Sequence, residues 1–246
     1  MTAKRPVALV VGAGDYIGAA IAKRFAREGY VACMGRRHGD KLAAVVDEIR
    51  AGGGEAHAFS LDAREEEQVV ERFARIEAEV GALEVVVFNV GANVSFPIGA
   101  TTARVFTKVW QMACLAGFFS GREAARYMAP RGKGSILFTG ATASVRGSAG
   151  FAAFASAKFG LRALAQSMAR ELGPQHVHVA HVIIDAGVDT AWVRRMIEQG
   201  GRSVDSLPAD SLVAPDSIAD AYWFLHQQPR DAWTFELDLR PSVERW

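Results

Sequence analysis

Val7-Ala-Leu-Val-Val-Gly12-Ala-Gly14-Asp15-Tyr16-Ile17-Gly18, followed by an amphipathic run that stops at Gly29, decides the fold. The five apolar residues Val7–Val11 read as a buried strand. The glycines read as a tight turn into a helix on which Ile17, Ile21 and Phe25 recur every fourth residue. Glycines at such a turn let the backbone approach a pyrophosphate, whose charge suits the positive end of a helix. The spacing is G-x-G-x-x-x-G rather than G-x-G-x-x-G, so a plain strand–helix turn is the alternative reading.

Outward from this unit the same alternation repeats. Short apolar runs at residues 30–34, 56–61, 85–88, 135–138 and 177–184 predict further strands, and 233–239 a seventh. Between them lie helical patterns: Leu42, Val45, Val46 and Ile49; Val69, Val70, Phe73 and Ile76; a long stretch at 102–128 broken by Pro130, Gly132 and Gly134; residues 151–172; and a last helix opening at Pro215. Residues 188–213 predict one or two short helices. Strands alternating with helices argue for a doubly wound parallel α/β sheet with helices on both faces, a three-layer Rossmann fold. No linker, repeat or low-complexity tract interrupts the pattern, so residues 1–246 are expected to form a single domain.

The chain has 246 residues, a formal net charge of +1 and 50% hydrophobic residues. Near-neutral charge argues against a nucleic-acid partner, and no apolar run approaches the ~18 residues of a membrane span. Cys33 and Cys114 both lie in apolar runs, which fits a reducing compartment, and residues 1–6 lack a signal-peptide pattern; a cytoplasmic location is expected. Only four tyrosines are present: Tyr16, Tyr30, Tyr127 and Tyr222.

Further nucleotide signals fall at strand C-terminal ends, where open α/β sheets bind ligands. After the second strand, Gly35 takes the place of the acidic residue that reads the ribose hydroxyls of NAD, and Arg36 and Arg37 follow. Arginines there favour the 2′-phosphate, so NADP is the expected cofactor, with NAD possible. Asp62, just after the third strand, would sit beside the adenine or serve as a turn carboxylate, with Leu61 and Ala63 as neighbouring cofactor positions, and Asn89, Val90 and Gly91 close the fourth strand. Asp15 would oppose an extra phosphate unless an arginine intervenes, and Tyr16 either lies over the phosphates or swings out.

The chain resembles the short-chain dehydrogenase/reductase family over nearly all of its length. The family's G-x-x-x-G-x-G falls on Gly12, Tyr16 and Gly18, with a tyrosine in place of the middle glycine. Its N-N-A-G motif falls on Phe88-Asn89-Val90-Gly91, and its adenine-side aspartate on Asp62. Its Y-x-x-x-K motif falls on Phe154-Ala-Ser-Ala-Lys158, so the lysine is kept and the tyrosine is lost. The family serine position is Ala141 and the helix-four asparagine position is Cys114. Asp185-Ala186 replaces a Pro-Gly, while Thr190 of the same loop is kept. The resemblance implies cofactor contacts from Gly12, Gly14, Asp15, Tyr16, Ile17, Gly18, Arg36, Arg37, Leu61, Asp62, Ala63, Asn89, Val90, Gly91, Lys158, Val188 and Thr190. It also implies a small-molecule substrate and a homodimer or homotetramer built through residues 102–128 and 151–172.

Phenylalanine has no ionisable proton and alanine no hydroxyl, so the family's acid–base chemistry does not carry over. Thr142 or Ser144 could orient a substrate oxygen in place of the serine, or could simply shape a turn. Arg146 could take an anionic substrate or remain a solvated loop cation. Asp185, after an apolar strand, is the leading substitute acid or base, and Lys158 can hold the cofactor ribose without a tyrosine. His176 and His178 would share a strand face opposite His181, so no metal is expected. Phe96, Phe106 and Trp110 could line a pocket but read by default as helix core, whereas Phe151 and Phe154 make its floor apolar. Glu236, Asp238 and Arg240 would form the charged face of a half-exposed last strand, either pairing with a neighbouring subunit or solvated. The expected function is an NADP-dependent oxidoreductase transferring hydride to a carbonyl, imine or enone with an altered proton donor. The alternative is a non-catalytic dinucleotide-binding sensor or partner subunit.

Overall fold

The computed structural model describes residues 5–244, so the expectation about a leader at residues 1–6 lies mostly outside the described residues. Seven parallel strands form one sheet: β1 Val7–Val11, β2 Val31–Arg36, β3 Glu55–Ser60, β4 Leu83–Phe88, β5 Gly134–Thr139, β6 Val177–Ile184 and β7 Glu236–Leu239. Their spatial order is β3-β2-β1-β4-β5-β6-β7. The order reverses between β1 and β4, and this switch point opens a crevice at the strand C-terminal ends. The doubly wound fold predicted from the sequence is the one formed.

The period-2 alternation of β1 explains the three layers. Ala8 and Val10 join the core shared with α1 (Ile17–Arg27), α2 (Ala43–Ala51) and α8 (Pro215–Gln227). Val7, Leu9 and Val11 join the core shared with α3 (Glu66–Arg75), α5 (Ala116–Arg131) and α6 (Ala152–Leu172). Both faces are dry, which is why the strand reads as an unbroken apolar run.

Several boundaries differ from the sequence reading. The long helix predicted at 102–128 begins as α4 (Ala103–Trp110), passes through a π-turn at Gln111–Leu115 and continues as α5 to Arg131. Pro130 does not break it: Pro130 lies in the last turn, and Gly132, with φ of 61°, makes the left-handed exit. β2 runs on to Arg36, so Gly35 is a strand residue. β7 starts at Glu236, because the Trp233 ring leaves the strand line to stack on His178, 4.9 Å between centroids. His176 sits before β6 in a left-handed turn, φ 61°, and so shares no strand face with His178. The region 188–213 holds α7 (Ala191–Gln199) and one turn of 3-10 helix. No helix among the described residues is long and apolar enough to cross a membrane.

Candidate active site

Two cavities meet at the switch point and share Asn89, Val90 and Gly91 as a common wall. The first, about 240 Å³, lies over β1–β3 and takes in Gly12, Gly14, Arg36, Arg37, Leu61, Asp62 and Ala63. The second, about 490 Å³, lies over β4–β6 and takes in Ile17, Ala141, Thr142, Phe151, Phe154, Lys158 and Val188. Thirteen of the sequence-predicted cofactor positions, and Thr142 besides, therefore converge on one continuous crevice.

The glycine turn is held shut from below and open above. Gly12 has φ of 84°, and a Cβ there would meet the Asn89 and Val90 backbone at 2.9 Å. Asn89 locks the two loops together by donating from Nδ2 to the Gly12 carbonyl at 3.2 Å. Gly18 packs on Ala13, where a Cβ would fall 2.6 Å from Cα, so it serves helix–strand packing. Over Gly14 and Gly91 nothing lies within 4 Å of an added Cβ. That open backbone above the start of α1 is a cradle of the kind a pyrophosphate requires, and the residues present fit a dinucleotide.

At the β2 end, Arg36 donates to Asp15 at 2.8 Å, so the carboxylate that would oppose a phosphate is already neutralised. The exposed Arg37 side chain makes no hydrogen bond or ion pair among the described residues, and its charge acts on nearby Asp62. Asp62 accepts from the backbone N–H of Arg64 at 3.1 Å and from its guanidinium at 2.9 Å, and this arginine holds its carboxyl below the usual range. Arg64 was missed in the sequence; its position two residues after an aspartate at a strand end is the turn signal that pointed to it.

The second cavity surrounds Lys158. Its side chain is buried, and Nζ donates to the Thr139 carbonyl at 2.7 Å and to the Val90 carbonyl at 3.4 Å. Burial pushes the ammonium down to about 8. The Phe154 ring lies one helical turn before it, 5.9 Å from Nζ to the centroid, packed with Cys114 and Ala157 in a small apolar cluster. Cys114 sits on the π-turn, a distortion often found at functional sites.

The remaining predicted residues take other places. Ser144 is fully buried, and its Oγ accepts the Ala141 N–H at 3.1 Å, so it braces the β5 loop from beneath. Asp185 faces a neighbouring cavity, where it accepts from the Thr142 hydroxyl and pairs with Arg240 at 3.3 Å. Thr142 borders both cavities. Thr190 caps α7 by accepting the Val193 N–H at 3.1 Å. Tyr16 reaches away from the glycines and accepts the Ala191 N–H at 3.1 Å. His181 is buried, bonds Glu236 at 3.0 Å and is pushed down to about 4 by desolvation; Glu236 is also gripped by Arg162 at 2.6 and 2.7 Å. The charged face of β7 is thus partnered within its own chain: Glu236 with Arg162, Asp238 with Arg240. Phe96, Phe106 and Trp110, read by default as core, are 37–40% exposed.

Comparison with known proteins agrees with this geometry. Residues 6–200 match the family model described as short chain dehydrogenase. A solved short-chain dehydrogenase from Rhodopseudomonas palustris is similar, with 55% identity and a TM-score of 0.82, covering 96% of this chain and 98% of its own. A metagenomic short-chain oxidoreductase, solved in complex with NADP, is 27% identical with a TM-score of 0.82 and covers 99% of this chain and 100% of its own. A short-chain dehydrogenase/reductase of Armillaria gallica is 31% identical over 176 residues, 70% of this chain and 67% of that protein. With its sheet order, its crevice and these relatives in agreement, the chain belongs to the short-chain dehydrogenase/reductase family of oxidoreductases.

Proposed function

We propose that the protein binds NADP(H) and transfers hydride to a small carbonyl, imine or enone substrate, using a proton source other than a tyrosine. The observation that carries the reading is the open cradle over Gly14 and Gly91, with the exposed Arg37, outside any hydrogen bond or ion pair among the described residues, at its β2 end. A 2′-phosphate would meet Arg37 directly, with Arg36 already shielding the Asp15 charge. The metagenomic relative binds NADP, which supports the same choice here.

When bound, the reduced dinucleotide supplies hydride. The chain's own contribution is positioning. Lys158 offers its remaining N–H to the ribose hydroxyls, and Thr142, whose hydroxyl proton is held by Asp185, presents its oxygen to the cavity as an acceptor. Phe151 and Phe154 exclude water from the floor. With Ala141 and Phe154 where the family has its serine and tyrosine, no hydroxyl stands at the proton-donor position, so the proton comes from water or from the substrate. This favours an activated double bond over a plain ketone. The assembly is a homodimer or homotetramer joined through α4, α5 and α6, working in the cytoplasm, where Cys33 and Cys114 stay reduced.

NADPH consumption, followed at its absorbance against a panel of ketones, imines and enones, tests the reading. Turnover with an activated double bond supports it. Tight NADPH binding with no turnover on any member assigns the protein instead to a non-redox, dinucleotide-binding role.

A further inference from the structure

We infer that the substrate is an anion: a carboxylate held at the mouth of the second cavity by Arg146. The inference takes its reacting group from the oxidoreductase reading, but the anion site stands on its own observations.

The first observation is charge balance. Arg146 and Lys158 are the charged residues lining this cavity, and no carboxylate lines it. The Lys158 ammonium is already engaged by two carbonyls. Arg146 also lines the neighbouring cavity, with three carboxylates, Asp185, Glu236 and Asp238. Each makes its ion pair elsewhere: Asp185 and Asp238 share Arg240, and Glu236 pairs with Arg162. The exposed Arg146 side chain makes no hydrogen bond or ion pair among the described residues and borders both cavities.

The second observation is that its backbone is fixed. The Arg146 N–H donates to the Thr142 carbonyl at 3.0 Å, and the turn Thr142–Ser144 is braced from inside by Ser144. The turn fixes where the side chain starts at the cavity edge, and the guanidinium's planar pair of N–H groups suits the two oxygens of a carboxylate. The third is the cavity wall. Phe151, Phe154, Ile184 and Val188 make it apolar, so a charge pair at its mouth is less screened than on an open surface. The ligand that matches is an acid with an apolar body: the body against Phe151 and Phe154, the carboxylate on Arg146.

The test is calorimetric binding to the full chain, with and without saturating NADPH. The probes are benzoylformate and cinnamate, each against its own methyl ester. The acids are expected to bind about tenfold tighter than the esters. Arg146→Gln should abolish that preference while leaving NADPH affinity unchanged, and Arg146→Lys should keep part of it. Acid and ester binding alike, a preference that survives Arg146→Gln, or no binding of either acid overturns the inference. Acid preference without any NADPH turnover leaves the anion site standing and removes the oxidoreductase reading alone.

Discussion

The Tyr16 hydroxyl accepts the backbone N–H of Ala191 at 3.1 Å and so ties the glycine turn after β1 to the first residue of α7. None of the side chains of α7 is buried, so this bond is one of few that fix the helix at the edge of the crevice. Tyr16→Phe keeps the ring and removes the bond. A lost hydrogen bond of this kind is worth about 0.5–1.5 kcal/mol, or roughly two- to tenfold in a rate. NADPH dissociation, measured by stopped-flow displacement, should speed up by that factor. An unchanged rate would show that the bond does not restrain the crevice.

The buried Lys158 ammonium predicts how stability responds to alkali. Its folded value of about 8 lies below the unfolded value of about 10.4. Between these two values the unfolded chain holds the proton and the folded chain does not, so this group makes stability rise with pH in that window. Below about pH 8 the full cost of the buried charge remains. In Lys158→Met, the thermal midpoint should lose this rising contribution between pH 8 and 10. Parallel pH profiles for the two proteins would mean that the ammonium is not desolvated.

Phe154 and Ala141 define what the site lacks, and both border the second cavity. Phe154→Tyr combined with Ala141→Ser returns a phenol beside Lys158 and a hydroxyl to the β5 loop. A positioned general acid contributes about 10²–10⁴-fold, so reduction of an unactivated ketone should rise by at least about a hundredfold. Steady-state kinetics of the single and double variants will show whether the phenol alone is sufficient. No gain in the double variant would show that the cavity has changed shape as well as chemistry.

Exposed aromatics on the α4–α6 side predict the assembly. Phe106 and Trp110 on α4, Phe118 on α5 and Phe159 on α6 are 37–42% exposed, a large apolar presence for a free surface. Phe159→Glu should shift the protein to a smaller species in light scattering. A monomeric parent would remove the basis for this prediction.

The sheet was legible because β1 and residues 85–88 of β4 are apolar on both faces, and the crevice because its glycines and arginines sit where strands end. Side-chain direction was not. Asp185 follows an apolar strand as expected of a desolvated acid, yet Thr142 and Arg240 draw it into the adjacent cavity. The partner that matters, Arg240, is 55 residues away in sequence, and only the pairing of β6 with β7 brings it near. Pro130 misled for a related reason. Pro130 forgoes the one N–H bond of its position but lies a single residue before the helix end, so little helix follows it, and Gly132 supplies the actual stop. Ser144 and Thr142 look alike in sequence, and only the turn between them decides that one hydroxyl is buried while the other borders the cavity.

Parallel fluorescence titrations of the protein with NADPH and NADH test the dinucleotide cleft and its cofactor choice together. Saturable NADPH binding at least about tenfold tighter than NADH is expected, consistent with a charge-assisted contact to the extra phosphate, with loss of that preference in Arg37→Ala. Equal affinity for the two cofactors would contradict the role given to Arg37, and no binding of either would contradict the dinucleotide cleft itself.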